Sequence, residues 1–368
     1  MKFSCERDLI LKEISIAQEI ISSRNILSVL SNVLLEIRND NLIVKASDLK
    51  VYYESVIPID GIVQGSITIY CDKFLSIIRA LPEGEIEFEL MDNMIFSIKP
   101  VFKKIDFKMK SIPPENFPEI PDINSDLYFD FSQKDFLDMI TNTVFAISDD
   151  ETRYFMNGVY VEKVENGLVM VASDGRRLSY VNKKSNKEIP DFNGIIIPPK
   201  ILNSAKKLMS GEGNLQIAIN EKNIFLKFGN HKFVSNLIEG KFPNYQKVIP
   251  DSHEYRIIVE KKLFESAIKR VSLLAEQKSR RVYVILKNNI LIINSDKSEM
   301  GMAQEEIPCE YEGPEGIIVL NYLYVLDPLR EITDEKIAIE FTEMDKTIKI
   351  KSEPEKDFIH VIMPMQKK

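Results

Sequence analysis

Hydrophobic positions along this chain alternate between two periods, and they do so in the same order three times. Stretches with apolar residues at helical spacing run Asp8 to Ser23, Gln133 to Asp150 and Lys261 to Lys278, and each predicts a helix with one apolar face. Each is followed by two strand-like runs around a short polar turn: NVLLEIRNDNLIVKASD, GVYVEKVENGLVMVASD and RVYVILKNNILIINSD. All three close on a Ser-Asp pair, Ser47-Asp48, Ser173-Asp174 and Ser295-Asp296. A shorter helical stretch then recurs at Tyr70 to Leu81, Pro198 to Met209 and Asn321 to Ile332, leading into EIEFEL, NLQIAI and KIAIEF. Such period-two alternation marks strands with one buried and one solvated face.

One supersecondary unit of about 120 residues is therefore written three times. The implied fold is α+β: three repeated domains, each with two helices packed on antiparallel sheets. Proline-stiffened linkers punctuate the repeat, the first from Ser111 to Asp126 with Pro113, Pro114, Pro118 and Pro121, the second around Pro243 and Pro250. Domain limits are expected at 1–124, 125–251 and 252–368.

Composition narrows the class. The opening MKFSCERDLI carries charges where a signal peptide needs an apolar run, and no stretch approaches the roughly 18 apolar residues of a membrane span, so a cytoplasmic protein with no membrane association is expected. Cys5, Cys71 and Cys309 are isolated and odd in number, which suits buried thiols rather than a disulfide framework. His231, His253 and His360 lie at no metal-ligand spacing, and neither a metal nor a cofactor is expected. Nucleophile elbow, phosphate loop and dinucleotide fingerprint are missing, and Asp149-Asp150 reads as a solvated acidic pair, so the chain is not expected to be an enzyme.

Charge adds a contrary note. The formal net charge is −8, yet segment 261–281 holds Lys261, Lys262, Lys269, Arg270, Lys278, Arg280 and Arg281 against only Glu265 and Glu276. Segment 197–211 holds Lys200, Lys206 and Lys207 with no acid, whereas segment 133–150 is acidic. On a helical wheel Phe264, Ala267, Ile268, Val271 and Ala275 share one face and Lys262 and Lys269 the opposite one. These lysines read either as an ordinary solvated surface or as positive potential available to a polyanion.

Seven short segments, in order, carry a resemblance: MKF, SRNILSVLSNVLLE, ALPEGEIE, RYFMNGV, ASDGRRL, EGKFPNYQKVIP and VIMPMQ. With them the chain resembles, over its whole length, the bacterial sliding clamps, the beta subunits of DNA polymerase III. The resemblance implies the DNA clamp fold, assembled into a ring: a processivity factor that encircles duplex DNA as a head-to-tail homodimer, without sequence specificity, and tethers the replicative polymerase. Elementary geometry agrees. Helices side by side at about 10 Å give a hole of about 9 Å from one chain, about 28 Å from two and about 47 Å from three. A duplex of roughly 20 Å fits the second.

The implied DNA contacts are Arg24 and Arg79, which match basic positions near the family's channel, with Tyr154, Lys200, Lys206, Lys207, Lys262, Lys269, Lys278 and Arg280. At the implied dimer interface Phe107 and Met109 face Leu273 and Leu274 of a second copy; all four also read as ordinary core residues. A pocket for short hydrophobic peptides of polymerase, clamp loader and repair proteins would comprise Met156, Ser173, Gly175, Arg176, Arg177, Leu178, Pro243, Lys247, Val248, Thr347, Val361, Met363, Pro364 and Met365. Gly175 also reads as a plain turn glycine and the Met-Pro-Met segment as a last core strand. Arg176 stands where a histidine is common in the family, and Gln366-Lys367-Lys368 replaces the more usual Arg-Leu. The other reading from the repeats is a protein-binding scaffold without DNA encirclement.

Overall fold

The computed structural model describes residues 1–21, 29–297 and 299–366. Its α-helices are α1 (Arg7–Ile20), α2 (Cys71–Ala80), α3 (Gln133–Thr141), α4 (Pro199–Leu208), α5 (Lys261–Ser272) and α6 (Tyr322–Glu331). All six fall where the periodicity places them, but two stop early. α3 ends nine residues before Asp150 because Asn142 and Thr143 turn their side chains back onto the carbonyls of Asp138 and Met139, at 2.9 and 2.7 Å, and the chain leaves helical geometry at Thr143. α5 ends at Ser272, beyond which the N–H groups of Leu273, Leu274 and Ala275 reach only three residues back and tighten the chain into turns. No helix among the described residues is long and apolar enough to cross a membrane.

The chain divides into two compact units, and the division cuts through the middle repeat. The first unit comprises Met1–Lys134 with Lys200–Leu237. Its five-stranded sheet runs Asp60–Val63, Lys2–Glu6, Glu85–Leu90, Ile95–Pro100 and Phe107–Lys110 in spatial order, every pair antiparallel. Phe3, Phe74, Phe88 and Phe96 form its aromatic core, Phe3 and Phe88 stacked at 4.7 Å, and each such buried ring contributes about 1.5–3 kcal/mol. The eight-stranded sheet of this unit is a composite, since His231–Asn236 of the second repeat pairs with Val51–Pro58 of the first, Phe233 opposite Tyr53. Pairing them removes a strand edge that each repeat would otherwise expose. α1 lies over this sheet, burying Ile10, Ile14, Ala17 and Ile20, and sends Glu13 into the join, where the carboxylate meets His231 Nε2 at 3.2 Å and accepts a hydrogen bond from the Tyr53 hydroxyl.

The second unit, Asp135–Pro199 with Ile238–Lys368, repeats the device. Arg177–Lys184 pairs with Phe358–Ile362, Leu178 opposite Val361, so strands of the second and third repeats form another eight-stranded sheet. A four-stranded sheet in the order Gln304–Pro308, Ile290–Ser295, Arg281–Lys287, Gly316–Asn321 supports α5, whose Phe264, Ala267, Ile268 and Val271 are buried. Cys5 and Cys71 are buried thiols, each pushed up to about 12 chiefly by desolvation, whereas Cys309 is only half-buried.

Candidate functional site

In the second unit the strands Gly167–Ser173 and Arg177–Lys184 meet in a turn built by its own side chains. Asp174 Oδ1 accepts from the N–H groups of Arg176 and Arg177 at 2.9 and 3.0 Å, and Ser173 Oγ donates to the Arg177 carbonyl at 2.7 Å. Gly175 sits at φ +84°, a conformation that residues with a Cβ rarely adopt, so the turn favours glycine; the end of the flexible Arg153 side chain lies close over it. Arg177 then turns inward. Its guanidinium donates to Asp174 Oδ2 at 3.1 Å, Asp327 Oδ2 at 2.6 Å and the Phe145 carbonyl at 2.6 Å, and lies 4.7 Å from the Tyr324 ring centroid. The turn is thereby bound to α6.

Beside this turn opens a cavity of about 270 Å³. Leu178 and Val361, paired across the sheet, and Phe242 and Tyr245 belong to the buried cluster beneath it. Phe242 stacks on Tyr160 at 5.0 Å, while Tyr245 and Tyr160 both donate to Glu162, at 2.5 and 2.9 Å. Desolvation first, then Glu162, pushes the Tyr160 hydroxyl up to about 12 and the Tyr245 hydroxyl further, so the floor stays uncharged. His360, under the same sheet, is driven down to about 3 by desolvation, with the Arg177 charge adding to it, and contributes no proton chemistry near neutrality. The C-terminal segment forms one wall: Met363 N–H donates to the Arg176 carbonyl at 2.9 Å and Met365 N–H to Val319 at 2.8 Å, yet the Met363 side chain is 54% exposed. A methionine this exposed, with its backbone fixed, is not a core residue.

Of the residues expected in one peptide pocket, Met156, Ser173, Gly175, Arg176, Arg177, Leu178, Pro243, Val248, Thr347, Val361 and Met363 line this cavity together. Lys247 does not, and Arg177 is no free rim charge because its three ionic and carbonyl bonds consume it. Pro364 and Met365 instead line a second cavity of about 520 Å³, which shares Arg176 and Met363 with the first. Phe242 and Tyr245 were missed, although both lie in the segment EGKFPNYQKVIP; Arg153 was missed although it opens RYFMNGV. Asn321 and Tyr324 of the second cavity share the start of α6, but Ser279 and Gln366 come from elsewhere in the chain and no local pattern joins them to it.

The basic positions fare unevenly. Arg24 lies outside the described residues. In the first unit Arg79 is exposed and Lys206 half-buried, neither in an ion pair among the described residues, but Lys200 is committed to Asp48 and the Ile20 carbonyl at 2.5 and 2.6 Å, and Lys207 to Glu19 at 2.6 Å. In the second unit Lys262 and Tyr154 are exposed, and Lys269 pairs with Glu265 at 2.5 Å. Arg281, counted with the basic segment, is buried against Asp296. Lys278 and Arg280 line the second cavity. Phe107 and Met109 are half-buried on the outermost strand of the five-stranded sheet, and Leu273 is 80% exposed with Leu274 half-buried, so none of the four is a fully buried core residue.

Comparison with known proteins bears on the whole chain. Family models for the DNA polymerase III beta subunit match residues 1–121 as its N-terminal domain, 130–244 as its central domain and 246–366 as its C-terminal domain. A beta sliding clamp from Treponema pallidum is 40% identical over 370 residues, and one from Escherichia coli 28% over 372, each match covering all of both chains. Among solved structures, the DNA polymerase III subunit beta of Pseudomonas aeruginosa superposes with a TM-score of 0.92 at 27% identity over all of both chains. That of Borrelia burgdorferi does so at 0.91 and 26%, covering all of this chain and 99% of the other. With three clamp domains in family order along a full-length match, the chain belongs to the bacterial DNA polymerase III beta subunits, the beta sliding clamps.

Proposed function

We propose that two copies of this clamp close head to tail around duplex DNA and hold the replicative polymerase, the clamp loader and repair proteins through short apolar peptides seated at the cavity beside Gly175. As a sliding clamp the chain is a non-catalytic subunit of the polymerase holoenzyme. Repeats ending near residues 124 and 251 are its domains, and its work on DNA places it in the cytoplasm.

The observation that carries the tethering is the apolar hole between Leu178, Val361 and the exposed Met363. A few buried apolar anchors supply most of the energy of such peptide contacts, and methionine adapts its shape to several of them. Ring closure draws support from two open sheet edges. The strand Phe107–Lys110 ends one sheet and presents Lys108 and Lys110, while Gln304–Pro308 ends another and presents Glu306. Joining such edges between copies satisfies backbone groups on both and pairs opposite charges. DNA contact rests on Arg24, Arg79, Tyr154, Lys206, Lys262, Lys278 and Arg280, while the paired Lys200, Lys207 and Lys269 can exchange their carboxylates for phosphates.

The direct experiment loads the clamp onto nicked circular and onto linear DNA and measures co-sedimentation. Retention on circles with loss from linear ends is expected; equal loss from both identifies a protein-binding scaffold instead.

A further inference from the structure

The sheet beneath the apolar cavity changes character one strand beyond Val361. Across neighbouring strands the partners run Leu178, Val361, Lys349, Glu340 and Arg256. Glu340, Lys349 and Lys351 are all buried; Lys349 Nζ and Lys351 Nζ lie 3.3 and 3.2 Å from Glu340 Oε2, His253 Nδ1 lies 3.5 Å from the same oxygen, and Arg256 Nε lies 3.5 Å from Oε1. Burial works to raise the pKa of Glu340, but Lys351, Lys349 and His253 hold it below the usual carboxylate range. In the first unit Tyr52 stands four residues past the Asp of its Ser-Asp pair, as Leu178 does, and its row reads Tyr52, Val234, Phe225 and Ala218, with Ile120 and Ile123 of the first linker packed against it. Covering such a sheet with a linker therefore needs no buried charge, and a buried ion pair is a poor source of stability where apolar residues can fill the same space. What the charged row adds is reach. Lys349 Nζ donates to the Pro250 carbonyl at 3.2 Å, and proline, lacking an N–H, offers no other backbone group to hold.

We propose that Lys349, aimed by Glu340, is a positioning residue for the peptide cavity: it fixes the end of the linker that supplies Val248 as a wall. The proposal rests on the peptide reading of that cavity and deepens it. Phe242 and Tyr245 bury the front of the linker, whereas Val248 N–H reaches back only to the Tyr245 carbonyl at 2.9 Å and its side chain borders the cavity 44% exposed. The bond from Lys349 to Pro250 fastens the chain just beyond it. Thr347, shortly before Lys349 in the chain, lines the same cavity, so one anchor holds Val248 and Thr347 at a set separation. Neither Lys349 nor Glu340 lines the cavity itself, and both act through the linker.

The test uses the full-length clamp and a fluorescein-labelled octapeptide with a Leu-Phe anchor. Lys349→Met keeps an apolar stem and deletes the amine. Fluorescence anisotropy should show the peptide bound about fivefold to tenfold more weakly, chiefly through faster release, and trypsin should cut after the exposed Lys247 sooner in the unliganded variant. Lys349→Arg, which still reaches the carbonyl, should restore both affinity and protection at Lys247. Combining Lys349→Met with Glu340→Met makes the row apolar like that of the first unit, while Lys351 and Arg256 keep Glu355 and Glu353. This double variant should match the natural protein in denaturant midpoint and still bind weakly. If it regains full affinity along with its stability, the network has a packing role only and the proposal is overturned. Unchanged affinity in Lys349→Met overturns it too, whatever the trypsin result, and leaves the peptide site intact, whereas a natural clamp that binds no peptide removes the peptide site and the positioning role together.

Discussion

Glu13 illustrates how one residue can join two repeats. Burial works to raise the pKa of its carboxyl, but hydrogen bonds from His231 and Tyr53 outweigh burial and hold it below the usual carboxylate range of 4.5. A carboxyl depressed in the native state stabilises the fold fully above that range, and the stabilisation is lost as pH falls through the native value. Glu13→Gln keeps the shape but removes the charge, which should cost about 1–3 kcal/mol at pH 7. Denaturant titrations at pH 7 and pH 3.5 should show a smaller acid-induced loss for the variant than for the natural protein; parallel losses would separate Glu13 from the acid transition. Arg177 plays the equivalent part in the second unit, tying the Ser173–Arg177 turn to Asp327 on α6. Its removal leaves Asp327 with Arg330 at 3.2 Å and Asp174 with its two backbone donors, and should cost about 1–3 kcal/mol, readable as a lower denaturant midpoint.

At the scale of elements, the proposed peptide site depends on a turn and on the chain end that follows the strand Phe358–Ile362. Deleting Met363 through Lys368 leaves that strand paired but removes the wall shared by both cavities. Anisotropy with a Leu-Phe peptide should then report a loss of affinity of 100-fold or more, about 3 kcal/mol, with the dimer intact by light scattering. Unchanged affinity would return the Met-Pro-Met segment to a packing role. Hairpins and short helices were legible in the sequence because their periodicities are local and uninterrupted: NVLLEIRNDNLIVKASD becomes Asn32–Arg38 and Asn41–Ser47, joined by Asn39 and Asp40 at positive φ. The ends of α3 and α5 were not, since apolar spacing continues through Asn142-Thr143 and Ser272 while side-chain bonds to the backbone end the helix. The union of Val51–Pro58 with His231–Asn236 was equally hidden, because a strand's alternation says which face is buried and nothing about which distant edge it joins. The apolar lining of the peptide cavity was readable through motif strings, whereas the carboxylates that neutralise Lys200, Lys207, Lys269 and Arg177 lie far away in sequence or required a known helix register.

For the whole molecule, the proposed encirclement of DNA predicts direct affinity that is weak and steeply salt-dependent, since phosphate contacts release counterions and ignore sequence. Lys262→Ala, which removes an exposed cation without an ion pair among the described residues, should lower the slope of log affinity against log salt by about one. Topological retention on circles should outlast it. Closure itself is tested at Leu273, an apolar residue 80% exposed just past the end of α5. If a second copy buries it, Leu273→Asp places a lone charge in a dry contact and should weaken the dimer by about 3–5 kcal/mol, at least 100-fold in dissociation constant. The five side chains that anchor α5 and its following turn, Phe264, Ala267, Ile268, Val271 and Ala275, are untouched, so circular dichroism should report the same fold and light scattering a monomer. A variant that stays dimeric at nanomolar concentration would move the interface away from Leu273 and leave the open edges at Phe107–Lys110 and Gln304–Pro308 to carry closure by themselves.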